Sequence, residues 1–142
     1  TRMRATLHSL LFFIDTATTE LSTLALHDAL PICRARGPYK GAWCIPCGYL
    51  EWGEEVRAGA QREFLEETGL QVEVGPVYTV HSNFHNPKSL TVGIWFRGSV
   101  IGGSLQAADD LDAADYFSID DLPENLAFPT DILVLEQLRQ ES

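Results

Sequence analysis

A helical stretch followed directly by two long β-rich runs is the feature that most constrains the fold. Residues 54–68 have helical character and stop at Gly69, a residue suited to the left-handed conformation just past a helix end. Residues 70–80 and 89–100 are rich in β-branched and aromatic side chains with partial alternation, which predicts two strands. Two further short strands and a second helix are predicted at residues 43–46, 114–119 and 129–140. Strands interleaved with helices predict an α/β layer architecture.

Length and charge narrow the class of protein. At 142 residues the chain is most economically one domain, and 45% hydrophobic with 21% charged residues is typical of a globular protein. Twenty acidic against ten basic residues give a net charge of −10, which repels phosphate backbones and anionic lipid surfaces. We therefore expect no nucleic acid and no membrane among the partners. Hard cations such as Mg²⁺, in contrast, suit clustered carboxylates.

The three cysteines do not indicate a disulfide framework. Cys33, Cys44 and Cys47 are an odd count in a chain too long to need covalent staples, which favours a reducing cytoplasm. Cys44 and Cys47 form a CxxC motif, but thiol redox sites place a helix directly after the first cysteine, whereas here Gly48 and a loop follow. Zinc is equally disfavoured because no second cysteine pair supplies a fourth ligand.

The first predicted helix carries three carboxylates on one narrow face. At about 100° per residue, Glu67 lies about 40° from Glu63, and Glu66 lies about 60° to the other side. Like charges this close destabilise an isolated helix and raise one another's pKa unless a divalent cation neutralises them. Gly59 falls within the same face, where the missing side chain is expected to leave room for a bulky ligand. An ordinary solvated face is the alternative interpretation.

Both helices are expected to be amphipathic. The first has two apolar flanks beside its acidic edge, and the second has one apolar face. The members are Val56, Ala60 and Phe64 on one flank, Ala58 and Leu65 on the other, and Ile132, Leu135 and Leu138 on the second helix.

The full spacing of the acidic stretch matches a specific motif. Residues 48–70 fit the pattern G-x5-E-x7-R-E-U-x-E-E-x-G-U without a miss, where U is a bulky apolar residue. The specified positions are Gly48, Glu54, Arg62, Glu63, Phe64, Glu66, Glu67, Gly69 and Leu70. This stretch resembles the Nudix box of the Nudix hydrolases. Residues 41–48 are similar to the G-x-W-x-U-P-G-G approach strand of that family, with Cys47 in place of the first paired glycine.

The resemblance implies a fold and an activity. The fold is a Nudix-like α/β/α sandwich around a mixed β-sheet. The activity is Mg²⁺-dependent hydrolysis, with Mn²⁺ as an alternative ion, of a small nucleotide: a nucleoside diphosphate linked to another group, or a nucleoside triphosphate. ADP-ribose, nucleotide sugars and dinucleotides remain open as substrates, and so does a homodimer. A nucleotide-binding Nudix module without catalysis is the alternative. Such modules usually lack one of the box glutamates, whereas this chain has all of them.

The resemblance also implies roles for individual residues. Three box glutamates match metal ligands, and a backbone carbonyl around Cys47 or Gly48 completes the shell. These glutamates are Glu63, Glu67 and Glu66. Glu66 is also the candidate acid/base group. Arg62 and Glu54 match the catalytic pair that ties the loop to the helix, since an arginine–carboxylate fork fixes geometry well.

Further candidates lie at the rim of the box or outside it. Many family members carry an acid after the second long strand that completes the site. Here we expect Asp110, in preference to Asp109, with two solvated turn aspartates as the alternative. Substrate contacts are expected from Gly48 and Tyr49 and from the loop between the long strands. The loop candidates are His85 and Lys88. Trp95 is assigned to the core.

Residues 1–32 differ in character from the rest. They contain one proline, Pro31, no glycine, little charge and no sustained period. Residues 22–32 resemble a translated sequencing-adapter frame, with a genuine N-terminal strand and helix as the alternative. Because Pro31 lacks an N–H for a sheet, we expect irregular or weakly packed structure over 1–32 and the Nudix hydrolase domain over 33–142.

Overall fold

Strands and helices follow one another along the chain in the order expected of an α/β protein. The computed structural model describes residues 6–7, 29–34, 41–84, 91–106 and 114–141. The strands are β1 (Thr6–Leu7), β2 (Ala29–Arg34), β3 (Trp43–Cys44), β4 (Leu70–Asn83), β5 (Thr91–Gly103) and β6 (Ala114–Ser118), and the helices are α1 (Val56–Thr68) and α2 (Pro129–Glu141). In these parts of the chain, neither helix has the length and apolar character needed to cross a membrane.

Two three-stranded sheets organise the molecule. In the first sheet β5 lies between β1 and β4, parallel to β1 and antiparallel to β4, so the sheet is mixed. The β4–β5 ladder runs from the Leu70–Gly103 pair to the Asn83–Thr91 pair and contains several bulges. In the second sheet β2 lies between β3 and β6 and is antiparallel to both.

The helices cover opposite faces of the β4–β5 ladder. Successive residues of a strand point to opposite faces, and Trp95 and Phe96 of β5 are both almost fully buried. Phe96 packs in a cluster with Phe64 of α1, whereas Trp95 packs with Leu135 of α2. This arrangement confirms the predicted α/β/α sandwich around a mixed sheet. It also confirms that Trp95 is a core residue.

Only part of the predicted helix amphipathicity is correct. The flank formed by Val56, Ala60 and Phe64 packs on the sheet as predicted. The second flank is wrong, because Leu65 is 46% exposed and Ala58 is also exposed.

The predicted apolar face of α2 is shifted. Ile132 is exposed, whereas Val134 and Leu135 are buried and Leu138 packs beside them. The buried stripe starts at Asp131 and follows the spacing i, i+3, i+4, i+7, which is the stripe that one face of a helix presents.

The N-terminal expectation is wrong for residues 29–32, which form regular strand in β2. Pro31 pairs in register with Tyr116 of β6. On the other side β3 pairs only with Cys33 and Arg34, so within the described residues β2 has a single neighbour at Pro31. A proline is tolerated at such a locally one-sided position because its missing N–H need not be used. Strand β2 also continues across the expected domain boundary at residues 32 and 33.

Candidate active site

Glu55 is the N-cap of α1, which begins at Val56, two residues later than the spacing suggested. Its carboxylate accepts hydrogen bonds from the N–H groups of Arg57 and Ala58, both at 3.0 Å, and these bonds lower the pKa of Glu55. Such side-chain acceptors satisfy N–H groups that the first helical turn leaves free. The helix ends at Gly69, whose φ of 76° is the left-handed conformation predicted for it.

Arg62 ties the loop before α1 to the helix. Its Nε and Nη2 atoms donate to the two carboxylate oxygens of Glu54 at 2.7 and 2.9 Å, a bidentate fork. The hydrogen bond from Arg62 is the main reason that the pKa of Glu54 falls to about 2. The Nη2 atom of Arg62 also donates to the carbonyl oxygen of Tyr49 at 3.3 Å, so one guanidinium fixes both ends of the loop.

The same guanidinium extends onto the acidic face. Its Nη1 atom donates to Glu63 at 2.9 Å and to Glu66 at 3.3 Å. The side chain of Glu63 is 17% exposed, whereas that of Glu66 is 59% exposed. The acidic edge therefore has an inner carboxylate, Glu63, and an outer carboxylate, Glu66, and both are bonded to the guanidinium of Arg62.

Gly48 and Glu63 are in direct contact. A Cβ atom at position 48 would overlap the Cγ and carboxyl group of Glu63. Burial raises the pKa of Glu63, the charges of Glu66 and Glu54 raise it further, and the hydrogen bond from Arg62 opposes both effects. The mutual repulsion expected from the sequence is present, but desolvation is the larger cause.

Glu67 holds the other side of the approach loop. Its Oε2 atom accepts a hydrogen bond from the backbone N–H of Cys47 at 2.9 Å. The acidic edge of α1 and the backbone at residues 47 and 48 are therefore adjacent, although they are distant in the chain. The box residues Gly48, Tyr49, Glu54, Arg62, Glu63, Glu66 and Glu67 are brought together in one place.

The chemistry of the donor groups at this edge fits a hard divalent cation, because the side-chain donors are carboxylate oxygens. Gly48 has no side chain that could cover its backbone carbonyl. Across the described segments, no three His, Cys, Asp or Glu side chains converge closely enough to hold an ion. The hydrogen bonds explain this, since Arg62 holds Glu63 and the Cys47 N–H holds Glu67. Convergence requires these carboxylates to turn away from their present partners.

Comparison with known proteins identifies the family. The model of the NUDIX domain matches residues 23–138, most of the chain. The chain belongs to the Nudix family. The match begins at residue 23 and therefore includes the whole of β2.

Known relatives of this Nudix chain include an ADP-ribose pyrophosphatase from Methanocaldococcus jannaschii. It is 37% identical over 111 residues, which cover 78% of this chain and 65% of that protein. A MutT-like protein from Streptomyces ambofaciens is 32% identical over 98 residues, which cover 69% of this chain and 62% of that protein. The chain thus spans less than two thirds of the length of either relative.

Solved structures support the same fold. A NUDIX hydrolase from Nitrosomonas europaea superimposes with a TM-score of 0.79 at 23% identity. The match covers 99% of this chain and 73% of that one.

Gly59 of the Nudix box does not leave room for a ligand, in contrast to the sequence-based expectation. It is buried, and a Cβ atom there would meet the side chains of Leu50 and Glu54. The loop before α1 folds back over this part of the helix because Glu54 is drawn to Arg62. The space beside Gly59 therefore belongs to the loop.

The remaining predicted site residues divide into one that the structure describes and three that it does not. Tyr49 lies at the site with its side chain 50% exposed, and burial of part of the ring is the main reason that its pKa is raised. Three further predicted residues lie outside the described parts of the chain. They are His85, Lys88 and Asp110.

The two thiols in the approach strand are free, and Cys44 is buried. The hydrogen bond with Cys44, followed by desolvation, raises the pKa of the Cys47 thiol well above its usual range. Reactive redox cysteines have a lowered pKa, which is the opposite of what Cys47 shows. The structure therefore gives no support to a thiol redox site in this motif.

A buried polar group at the start of α2 was missed by sequence reasoning. Asp131 is 2% exposed and Thr130 is 8% exposed. Burial raises the pKa of Asp131 to about 7, although the hydrogen bond from the Ile45 N–H favours its charged form. The available signal was the helical spacing, since Asp131 lies on one stripe with Val134, Leu135 and Leu138, where an acid is out of place.

Proposed function

We propose that this chain is a divalent-cation-dependent pyrophosphohydrolase, with Mg²⁺ as the ion, that cleaves a nucleoside diphosphate linked to a second group. ADP-ribose is the first substrate to test, because the Methanocaldococcus jannaschii relative is an ADP-ribose pyrophosphatase. One observation carries the proposal. Three carboxylates share the edge of α1 that faces the backbone at Cys47 and Gly48.

Glu63, Glu66 and Glu67 would hold the ion, together with a backbone carbonyl at Cys47 or Gly48. The chemistry supplied by a bound divalent ion is neutralisation of charge on pyrophosphate oxygens and activation of water. Glu63 is the inner ligand of this set, because its side chain is largely buried. Burial is the main reason that the pKa of Glu63 is raised, and a bound divalent ion would favour its charged form.

Arg62 and Glu54 act on the geometry of the site. The fork between them holds the loop at residues 49–54 against α1, and their ionic contact is partly shielded from solvent. A loop held at two points keeps the substrate-facing backbone in a fixed position, which lowers the cost of orienting the reactants. Arg62 also keeps Glu63 and Glu66 from repelling each other without compensation.

Glu66 is the proposed proton acceptor. Of Glu63, Glu66 and Glu67, only Glu66 is exposed, and its two oxygens accept only long hydrogen bonds of 3.5 and 3.3 Å from Arg62. One of its oxygens can therefore take a proton from an attacking water without breaking a strong internal contact. Asp110, with Asp109 beside it, remains a proposed second acid/base group.

Substrate contacts are proposed at Gly48, Tyr49, His85 and Lys88. The half-exposed ring of Tyr49 suits stacking, and Gly48 lies against Glu63 at the edge of the proposed metal site. Cytoplasmic localisation is also proposed. The free thiols of Cys44 and Cys47 are consistent with a reducing compartment.

A panel of nucleotides tests this function. ADP-ribose, a nucleotide sugar, a dinucleoside polyphosphate and a nucleoside triphosphate are each incubated with the protein and Mg²⁺, and then with a chelator in excess. We expect monophosphate release from at least one of the diphosphate-linked substrates, and its loss with the chelator. Binding of these nucleotides without any turnover would favour the non-catalytic Nudix module.

A further inference from the structure

The strand that leads into the Nudix box is held along one edge by a series of contacts. Alternate residues of a strand present their N–H groups to the same edge. Here the Trp43 N–H donates to the Asn125 carbonyl at 2.8 Å, and the Trp43 carbonyl accepts from the Ala127 N–H at 2.8 Å. The segment just before α2 therefore acts as a short parallel neighbour of β3.

This pairing reaches its end where α2 begins at Pro129. The first turn of a helix presents N–H groups rather than free carbonyl groups, so α2 offers no backbone acceptor to the next N–H of the approach strand. Asp131 supplies the acceptor from its side chain. The Ile45 N–H donates to Asp131 Oδ2 at 3.1 Å, and both residues are almost fully buried.

The next N–H on the same edge belongs to Cys47 and is bonded to Glu67 of α1. The three residues 45–47 are thus fixed at one end by α2 and at the other end by α1. Pro46 between them has a fixed φ, so a displacement at Ile45 is passed on to Cys47. Gly48 then follows in contact with Glu63.

We infer that Asp131 is a positioning residue for the metal site, acting through the Ile45 N–H to set the backbone of Cys47 and Gly48 against Glu67 and Glu63. It is not among the residues that would hold the ion. This role rests on the function proposed above, and it assigns a task to a buried acid that the Nudix box does not contain.

Thr130 provides a matched control. It is adjacent to Asp131 and similarly buried, but its Oγ1 atom donates to Asn83 Oδ1 at 2.7 Å. Asn83 in turn donates to Thr91 at 3.0 Å, so this chain of hydrogen bonds leads to β4 and β5. Loss of the Thr130 hydroxyl therefore perturbs the same end of α2 without releasing the approach strand.

The test compares Asp131→Leu, Asp131→Asn and Thr130→Val in two measurements. The first is amide hydrogen exchange in metal-free protein, followed at Cys47 with Trp43 as internal reference. The second is titration with Mn²⁺ alone. We expect Asp131→Leu to lower protection of the Cys47 N–H and Mn²⁺ affinity by about tenfold or more, as for other residues that orient metal ligands. Trp43 should keep its protection, because Asn125 still holds it.

Rescue by the conservative variant is the decisive comparison. Asn keeps an oxygen for the Ile45 N–H, so Asp131→Asn should stay within about twofold of the unmodified protein in both measurements, as should Thr130→Val. If Asp131→Leu does not fold, Asp131→Ala replaces it.

Two results overturn the inference. One is unchanged Cys47 protection in Asp131→Leu, and the other is an equal loss in Thr130→Val. Failure of the proposed function is a separate outcome. If the unmodified protein does not bind Mn²⁺ while Asp131→Leu still loses protection at Cys47 but not at Trp43, the metal site is refuted and the positioning contact is supported.

Discussion

Gly48 lies so close to Glu63 that the backbone of one residue and the carboxylate of the other leave no space for a side chain between them. The glycine is 15 positions before the glutamate in the chain, and the fork between Arg62 and Glu54 brings the two together. This contact explains why the box requires a residue without a Cβ at this position. A bulkier residue would have to move Glu63, the inner carboxylate of the acidic edge.

Gly48→Ala is expected to lower Mg²⁺-dependent turnover by about tenfold or more, because Glu63 has to leave its position. The control is Gly102→Ala, where the atom nearest to the added Cβ would be at the flexible end of the Gln71 side chain. Steady-state kinetics at saturating and limiting Mg²⁺ measure the effect. Equal activity of the two variants would show that the contact with Gly48 does not control the position of Glu63.

Arg62→Lys is expected to lower turnover although it keeps the charge, because lysine cannot form a bidentate fork with Glu54. The pKa of Glu54, about 2 at present, should rise toward 4.5. Since the folded-state pKa lies below the unfolded one, the stabilisation from this contact is complete above about pH 4.5 and is lost as pH falls through about 2. Carboxyl-detected NMR titration follows Glu54, with Arg97→Lys as the control, since Arg97 of β5 pairs with Glu141 of α2 and not with Glu54. An unchanged pKa of Glu54 would contradict the fork.

Asp131 is expected to make the protein less stable as pH rises. Its pKa is about 7 when folded and 3.8 for the ordinary group, so the folded state holds an extra proton between these values. Stability from this group is complete below about pH 4 and falls until about pH 7, by about 4 kcal/mol for this difference in pKa. The facing ionisable group is the Cys47 thiol, whose own pKa is raised.

Asp131→Asn should remove this pH dependence, because asparagine keeps an acceptor for the Ile45 N–H but does not ionise. Urea unfolding of both proteins at pH 5 and pH 8 measures the effect. A variant whose stability falls over this range as steeply as that of the unmodified protein would show that another group is responsible.

The acidic face of α1 could be predicted from sequence because it depends on the repeat of a single helix. Glu63, Glu66 and Glu67 share a face in any helix with this spacing, and the structure has them there. The use of Gly59 could not be predicted in the same way. The helical repeat places Gly59 on that face, but only the folded loop shows that Leu50 and Glu54 cover it.

Asp131 could not be assigned from sequence because its partner Ile45 is 86 residues away. Local spacing shows only that an acid lies on an apolar stripe, not which N–H needs it. Pro31 is a comparable case. Its missing N–H argues against a strand inside a sheet, but whether a second neighbour is present at that position depends on the length of β3.

The catalytic role of the acidic face on α1 is tested most directly by hydrolysis of ADP-ribose with Mg²⁺. The rates of the unmodified protein, Glu67→Gln and Glu136→Gln are compared. Glutamine keeps an oxygen for the Cys47 N–H but removes the charge, so Glu67→Gln should lose about 100-fold or more in turnover with little change in melting temperature. Glu136→Gln, the same change at an exposed position of α2, should stay within about twofold. Turnover by Glu67→Gln within about tenfold of the unmodified protein would contradict a catalytic acidic face on α1.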